Sequence, residues 1–147
     1  MTTKPALCDG PWMATSTSSS HTTDTEPESP ALGELLLRSA VGLRDRVAVQ
    51  ALVAEELLLA RDPVREALVA EHDGVTACRW EGMAGRLYTL GLDASDRAFL
   101  GLVLSIVGVQ QSYLAAVEYL DERRLKIVLQ AMLRLADNDR IAIGTRM

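Results

Sequence analysis

Apolar residues recur along this chain at helical rather than strand spacing, and the densest apolar block falls late. Residues 98–109 read Ala-Phe-Leu-Gly-Leu-Val-Leu-Ser-Ile-Val-Gly-Val, then come Leu114-Ala-Ala-Val-Glu-Tyr-Leu120, a break at Asp121 and an amphipathic run over 125–136. The first block predicts a buried helix and the rest a two-helix hairpin over 112–136. Asp93 followed by Asp96 has capping-box spacing and puts two acids at the positive end of the buried helix. Within that helix Ala98, Gly101, Ser105 and Gly108 form a narrow stripe of small residues, predicted to let another helix backbone approach closely.

Earlier segments follow the same period. Ser29 as N-cap and Pro30 at the first helical position predict a helix over 30–41. Gly42 loosens the chain before a helix over 44–61, where Val47, Ala51, Ala54 and Leu58, with Ala48, Leu52 and Leu59 and then Val53, Leu57 and Ala60, leave apolar residues nearly all round. Asp62-Pro63 starts a further helix that Asp73-Gly74 ends near His72. Thr76 is placed to cap the next, which carries Trp80, Met83, Ala84 and Leu87 at helical spacing but is weakened by Gly82 and Gly85. After the last helix, Asp137-Asn-Asp139 reads as a turn and residues 140–145 as a short strand.

The pattern predicts an all-α fold: a compact bundle of roughly six or seven helices with a C-terminal helical hairpin and a short terminal strand. Residues 1–29 hold the run Thr15-Ser-Thr-Ser-Ser-Ser20 and little that can be buried, so a disordered polar tail is expected before a single helical domain over 30–147. Leu7, Trp12 and Met13 are the apolar exceptions in that tail, and Met13 offers an alternative start.

Composition narrows the function more than it defines it. A formal net charge of -5 gives no general electrostatic case for nucleic acid. Cys8 and Cys78 sit in a chain without a secretory pattern, so reduced thiols and a cytoplasmic location are expected. Residues 98–117 lack charge, but Gln110, Gln111 and Ser112 interrupt them, so a core helix is expected and no membrane span.

Catalysis needs convergent groups, and the inventory is poor. Glu55 and Glu56 are adjacent and point about 100° apart on a helix, so they make no carboxylate pair. His72 and Cys78 flank Asp73-Gly74, and two candidate ligands do not make a metal site. The expectation is a protein that is not an enzyme, with no catalytic residues, cofactor, metal or small-molecule substrate. Arg79, Trp80, Arg86 and Tyr88 place cations beside aromatics, but with so few aromatics Trp80 is expected to anchor the core.

The last helix carries the most plausible functional surface. Leu125, Val128, Leu129, Met132 and Ala136 are expected to be its buried side. Arg123, Lys126, Gln130 and Arg134 form the other, with Arg124 at its margin and Ile127 among them. Leu114-Ala115, Leu120, Asp121, Leu125, Val128 and Met132 also fall at helix-turn-helix positions, where such a face would meet phosphates and base edges. Tyr119 and Glu118 depart from that pattern, standing where a glycine and an apolar residue are usual. The leading expectation is therefore a helical interaction module, a homo-oligomer or partner-binding protein, because two helices look apolar nearly all round and one small bundle has little room for both. DNA binding by the 112–136 hairpin is the alternative.

Overall fold

A computed structural model describes residues 30–146 of the chain. The described part is mostly helical, with one two-stranded antiparallel sheet. The expected disorder of residues 1–29 and the Ser29 cap lie outside the described residues. The first helix, α1, spans Leu32–Ser39 and begins two residues later than Pro30, with Ala31 as an N-cap that makes no side-chain bond. Helix α2 spans Gly42–Glu55. Asp45 closes its first turn by accepting a hydrogen bond from the Val41 backbone N–H at 2.8 Å. The other Asp45 oxygen accepts from Trp80 Nε1 at 2.8 Å, which ties a distant aromatic to the start of the helix.

The helix expected over 44–61 breaks at Glu56, whose φ of 69° is costly for a residue with a side chain. A short turn, α3, follows at Leu57–Ala60, then α4 at Asp62–Leu68 with proline in its first turn. Here the all-α expectation needs correction. Val69–His72 (β1) and Val75–Cys78 (β2) pair as a hairpin, with Val69 opposite Cys78 and His72 opposite Val75. Asp73 and Gly74 both have positive φ, 52° and 77°, as a two-residue turn matched to the strand twist requires. Asp-Gly between β-branched Val69 and Val75 was thus a hairpin signal rather than a helix stop, and Thr76 lies in a strand rather than capping a helix. The expected helix around Trp80 reduces to a 3-10 turn at Ala84–Arg86, although Trp80, Met83 and Leu87 are all buried.

Helix α5 spans Ala94–Val107 and has the full capping box. The Asp96 N–H donates to Asp93 Oδ1 at 2.8 Å, and the Asp93 N–H donates to Asp96 Oδ2 at 3.3 Å. Gly108, at φ 95°, ends the helix in the left-handed region. Leu114–Tyr119 is a 3-10 segment with no buried residue, so the first helix that a helix-turn-helix needs is not an α-helix. Asp121 does cap α6, Glu122–Leu135, accepting from the Arg124 N–H at 2.7 Å. Residues 140–146 carry no strand, because Asn138 Oδ1 instead takes the N–H groups of Arg140 and Ile141 in a local turn.

Helix α2 is the hub: it packs against α1, α5 and α6, while β2 lies on α1. One apolar cluster runs from Leu36 in α1 through Leu52, Leu68, Trp80 and Phe99 to Val128 in α6. No helix among the described residues is long and apolar enough to cross a membrane.

Candidate functional site

The last helix is rotated from its expected orientation. Arg124, Ile127, Val128 and Ala131, spaced as one helical face, are its buried residues. Two members of the expected outer surface, Arg124 and Ile127, therefore point into the fold. Arg123 is half-exposed and lies across the end of α2, Gln130 is half-buried, and Lys126 and Arg134 are exposed without an ion-pair partner among the described residues. The six candidates do not make one surface. Of the expected buried stripe only Val128 is buried, and Leu129, Met132 and Ala136 are exposed.

Arginine turns inward because two buried carboxylates await it. Glu55 at the end of α2 is 0% exposed, Asp96 in the first turn of α5 is 1% exposed, and Arg124 is 6% exposed. Arg124 Nε and Nη2 donate to Glu55 Oε2 at 3.2 and 3.1 Å, Nη2 also donates to Asp96 Oδ1 at 2.7 Å, and Nη1 donates to Ser95 Oγ at 2.9 Å. The guanidinium carbon lies 5.8 Å from the centre of the Phe99 ring. Glu55 Oε1 accepts the Leu58 N–H at 2.8 Å, and Asp96 Oδ2 takes Arg61 Nη1 at 2.8 Å. One guanidinium thus fastens α6 to both α2 and α5, and each carboxylate oxygen has an internal donor.

Arg123 completes the junction. It pairs with Glu55 Oε2 at 3.3 Å and also donates to the backbone carbonyls of Ala54 and Glu55. Those carbonyls have no intrahelical partner where α2 stops, so a side chain from α6 acts as the cap of α2. This accounts for the break at Glu56 that an unbroken apolar pattern had hidden.

Burial by itself would raise the Asp96 carboxyl. The hydrogen bonds from Arg124 and the Asp93 backbone, with the charges of Arg124 and Arg61, outweigh it and hold the group below the ordinary aspartate value of 3.8. Burial likewise opposes the charge on Arg124, but hydrogen bonds and charge from Asp96 and Glu55 leave it raised. Every carboxylate oxygen of the cluster thus accepts at least one bond from the chain, and both carboxylates are almost wholly buried, as a structural ion-pair junction requires. His72 and Cys78 sit at opposite ends of the hairpin ladder. Burial, then the charge of Asp45, pushes the Cys78 thiol up to about 12, which keeps it protonated at neutral pH.

A second region is open. All three tyrosines of the chain converge on a groove of about 430 Å³ over one face of α5. Tyr88, Tyr113 and Tyr119 are 81%, 87% and 54% exposed. Ala94, Ala98 and Gly101 line it, and the short 3-10 segment Leu114–Tyr119, rather than an α-helix, packs on α5 and brings Ala116 and Tyr119 to its edge. Closest to Gly101 is the loop after α5: Ser112 Oγ donates to the Gly101 carbonyl at 2.9 Å, and a Cβ at Gly101 would lie 3.1 Å from Gln110 Nε2. Arg97 stands 5.0 Å from the centre of the Tyr88 ring and donates to the Leu92 carbonyl at 2.6 Å. Of the cation and aromatic set around residues 79–88, Trp80 is buried and Tyr88 reaches the groove.

Comparison with protein-family models, with curated proteins and with solved structures finds no match to this chain.

Proposed function

We propose that the chain is a non-enzymatic interaction module that self-associates through α6. One observation carries this reading. Leu125, Leu129, Met132 and Ala136 recur every three or four residues as a core-facing stripe would, yet Leu129 is 37% and Met132 49% exposed. The helix docks on its own chain by the neighbouring Arg124, Ile127, Val128, Ala131 face, which leaves Leu129, Met132 and Ala136 exposed and Leu125 half-buried. A two-fold pairing of α6 with its copy would bury the stripe on both chains in one self-complementary contact. DNA contact by the same helix is the weaker reading. Arg123 and Arg124 are engaged with Glu55 and Asp96, which leaves Lys126 and Arg134 of the candidate cations for phosphates.

Light scattering on the full chain tests this directly. The wild type is expected to run as a dimer at micromolar concentration, and Leu129→Lys with Met132→Glu to run as a folded monomer. A wild type that stays monomeric as concentration rises sinks the reading, as does a dimer that the double variant leaves intact.

A further inference from the structure

The tyrosine groove is independent of the α6 stripe and has equipment of its own. Aromatic residues are scarce in this chain, and the other described ones, Trp80 and Phe99, are buried. The three tyrosines are instead held out around a common hollow, each with an apolar face and a hydroxyl that finds no partner among the described residues. A second hollow of about 510 Å³ shares Gln110, Gln111, Ser112 and Tyr113 with the first and reaches Ser105. The first borders α5 from Ala94 to Gly101, roughly 10 Å at the rise of an α-helix, and the loop carrying Ser112, seated on Gly101, stands between it and Ser105. A length of about 10 Å suits an extended chain of about three residues in polyproline II conformation.

We propose that this groove binds an extended, proline-containing peptide segment that places an acidic side chain against Arg97. Each polar group around it can donate: the Arg97 guanidinium does nothing else, and the tyrosine hydroxyls and glutamine carboxamides can donate as well as accept. A polyproline II strand offers the complement, since its carbonyls have no internal partner and its prolines bring no N–H that needs an acceptor. Its stiffness lowers the ordering cost, and proline rings pack between aromatic ridges. Arg97 is the one charged residue lining the groove, and no carboxylate pairs with it among the described residues. A single acid in the ligand matches that charge. Single-stranded nucleic acid also stacks on tyrosine, but it needs a track of cations along its phosphates, and one arginine does not supply it.

Fluorescence anisotropy on the intact protein tests the proposal with four labelled probes of equal length: a repeating Pro-Pro-Glu peptide, its Pro-Pro-Gln counterpart, a Gly-Ser-Glu peptide of the same charge as the first, and single-stranded oligothymidine. The Pro-Pro-Glu peptide is expected to bind tightest. Tyr113→Ala and Tyr119→Ala should each weaken it roughly tenfold. Arg97→Gln should weaken it several-fold while leaving a Pro-Pro-Gln peptide unaffected. Circular dichroism confirms that the variants fold, and Tyr113 is exposed enough to be replaced without touching the core. Equal binding of the Gly-Ser-Glu peptide, preference for oligothymidine, or no binding of the proline peptide each overturns the proposal. The oligomeric state is measured separately, so this result and the self-association result stand or fall apart.

Discussion

The α2–α5–α6 junction and the tyrosine groove use the same helix, α5, in opposite ways. At its first turn Asp96 is buried, and both of its oxygens are taken by arginines from elsewhere in the chain. On another side of the same helix, Ala94, Ala98 and Gly101 line an open hollow rimmed by three tyrosine hydroxyls that have no partner among the described residues. A charge inside a fold is tolerated only when it is paired and hydrogen-bonded, and the junction meets that condition with groups of its own chain. Polar groups at a surface are satisfied by water and remain available. The charges of the junction are therefore structural, and the candidate recognition chemistry of the groove lies in three tyrosines and one arginine, Arg97. If that division is right, substitutions in the junction should cost stability, and substitutions in the groove should cost binding alone.

The largest effect is expected for Arg124→Met. Removing one partner of a buried ion pair typically costs about 3–5 kcal/mol, because the opposite charge stays buried. Glu55 keeps Arg123 and Asp96 keeps Arg61, so the cost should fall near the low end, about 3 kcal/mol. Urea denaturation measures it as a lower midpoint at unchanged slope. A loss below about 0.5 kcal/mol, the scale of an ordinary surface change, would show that the cluster is not what fastens α6.

Acid should act on the same junction next. The folded Asp96 carboxyl titrates below its unfolded value near 3.8, so the stability it contributes is complete above that value and is lost as pH falls through the folded one. Asp96→Asn removes this linkage. Its stability should decline less steeply than that of the wild type below about pH 4, and equal slopes in acid titrations of the two proteins would refute the assignment.

These two residues also show what the sequence could and could not disclose. Local rules located the Asp93 and Asp96 capping box, the Asp121 cap and the helices they start, because each depends on residues within a single turn. The rotation of α6 depends on Glu55, 69 positions away from Arg124 in the chain. A helical wheel places any arginine outside unless its partner is known. A clue lay in Glu55 itself, a charge set inside the apolar run from Ala51 to Leu59 that would need a counter-ion if buried. The Asp73-Gly74 hairpin was legible and was outweighed by a capping pattern on either side. The groove was not legible, since Tyr88 and Tyr113 meet only after α5 and its following loop have turned back on each other.

Arg123→Ala should have a smaller effect within the junction, since Arg123 is half-exposed and bonded to the last carbonyls of α2. Those carbonyls can be rehydrated when the guanidinium leaves, so the expected loss is about 1 kcal/mol, well below that of Arg124. Hydrogen exchange should show it as faster opening at the C-terminal end of α2 and in α3, with the α5 core unchanged. Uniform loss of protection across all three helices would mean that Arg123 holds the docking of α6 and not just the helix end.

The smallest effect on folding is expected for Tyr113→Ala, and it divides the two regions most cleanly. Its ring is 87% exposed and its hydroxyl bonds to no described residue, so little apolar area is lost from the fold when it is removed. The change in unfolding free energy should stay within about 0.5 kcal/mol, as for surface substitutions generally. The same variant should lose the Pro-Pro-Glu peptide, whereas Arg124→Met, under conditions where it remains folded, should keep it. If Tyr113→Ala instead unfolds the protein at a markedly lower urea concentration, the tyrosine braces the loop against Gly101, and the groove belongs with the junction as part of the scaffold.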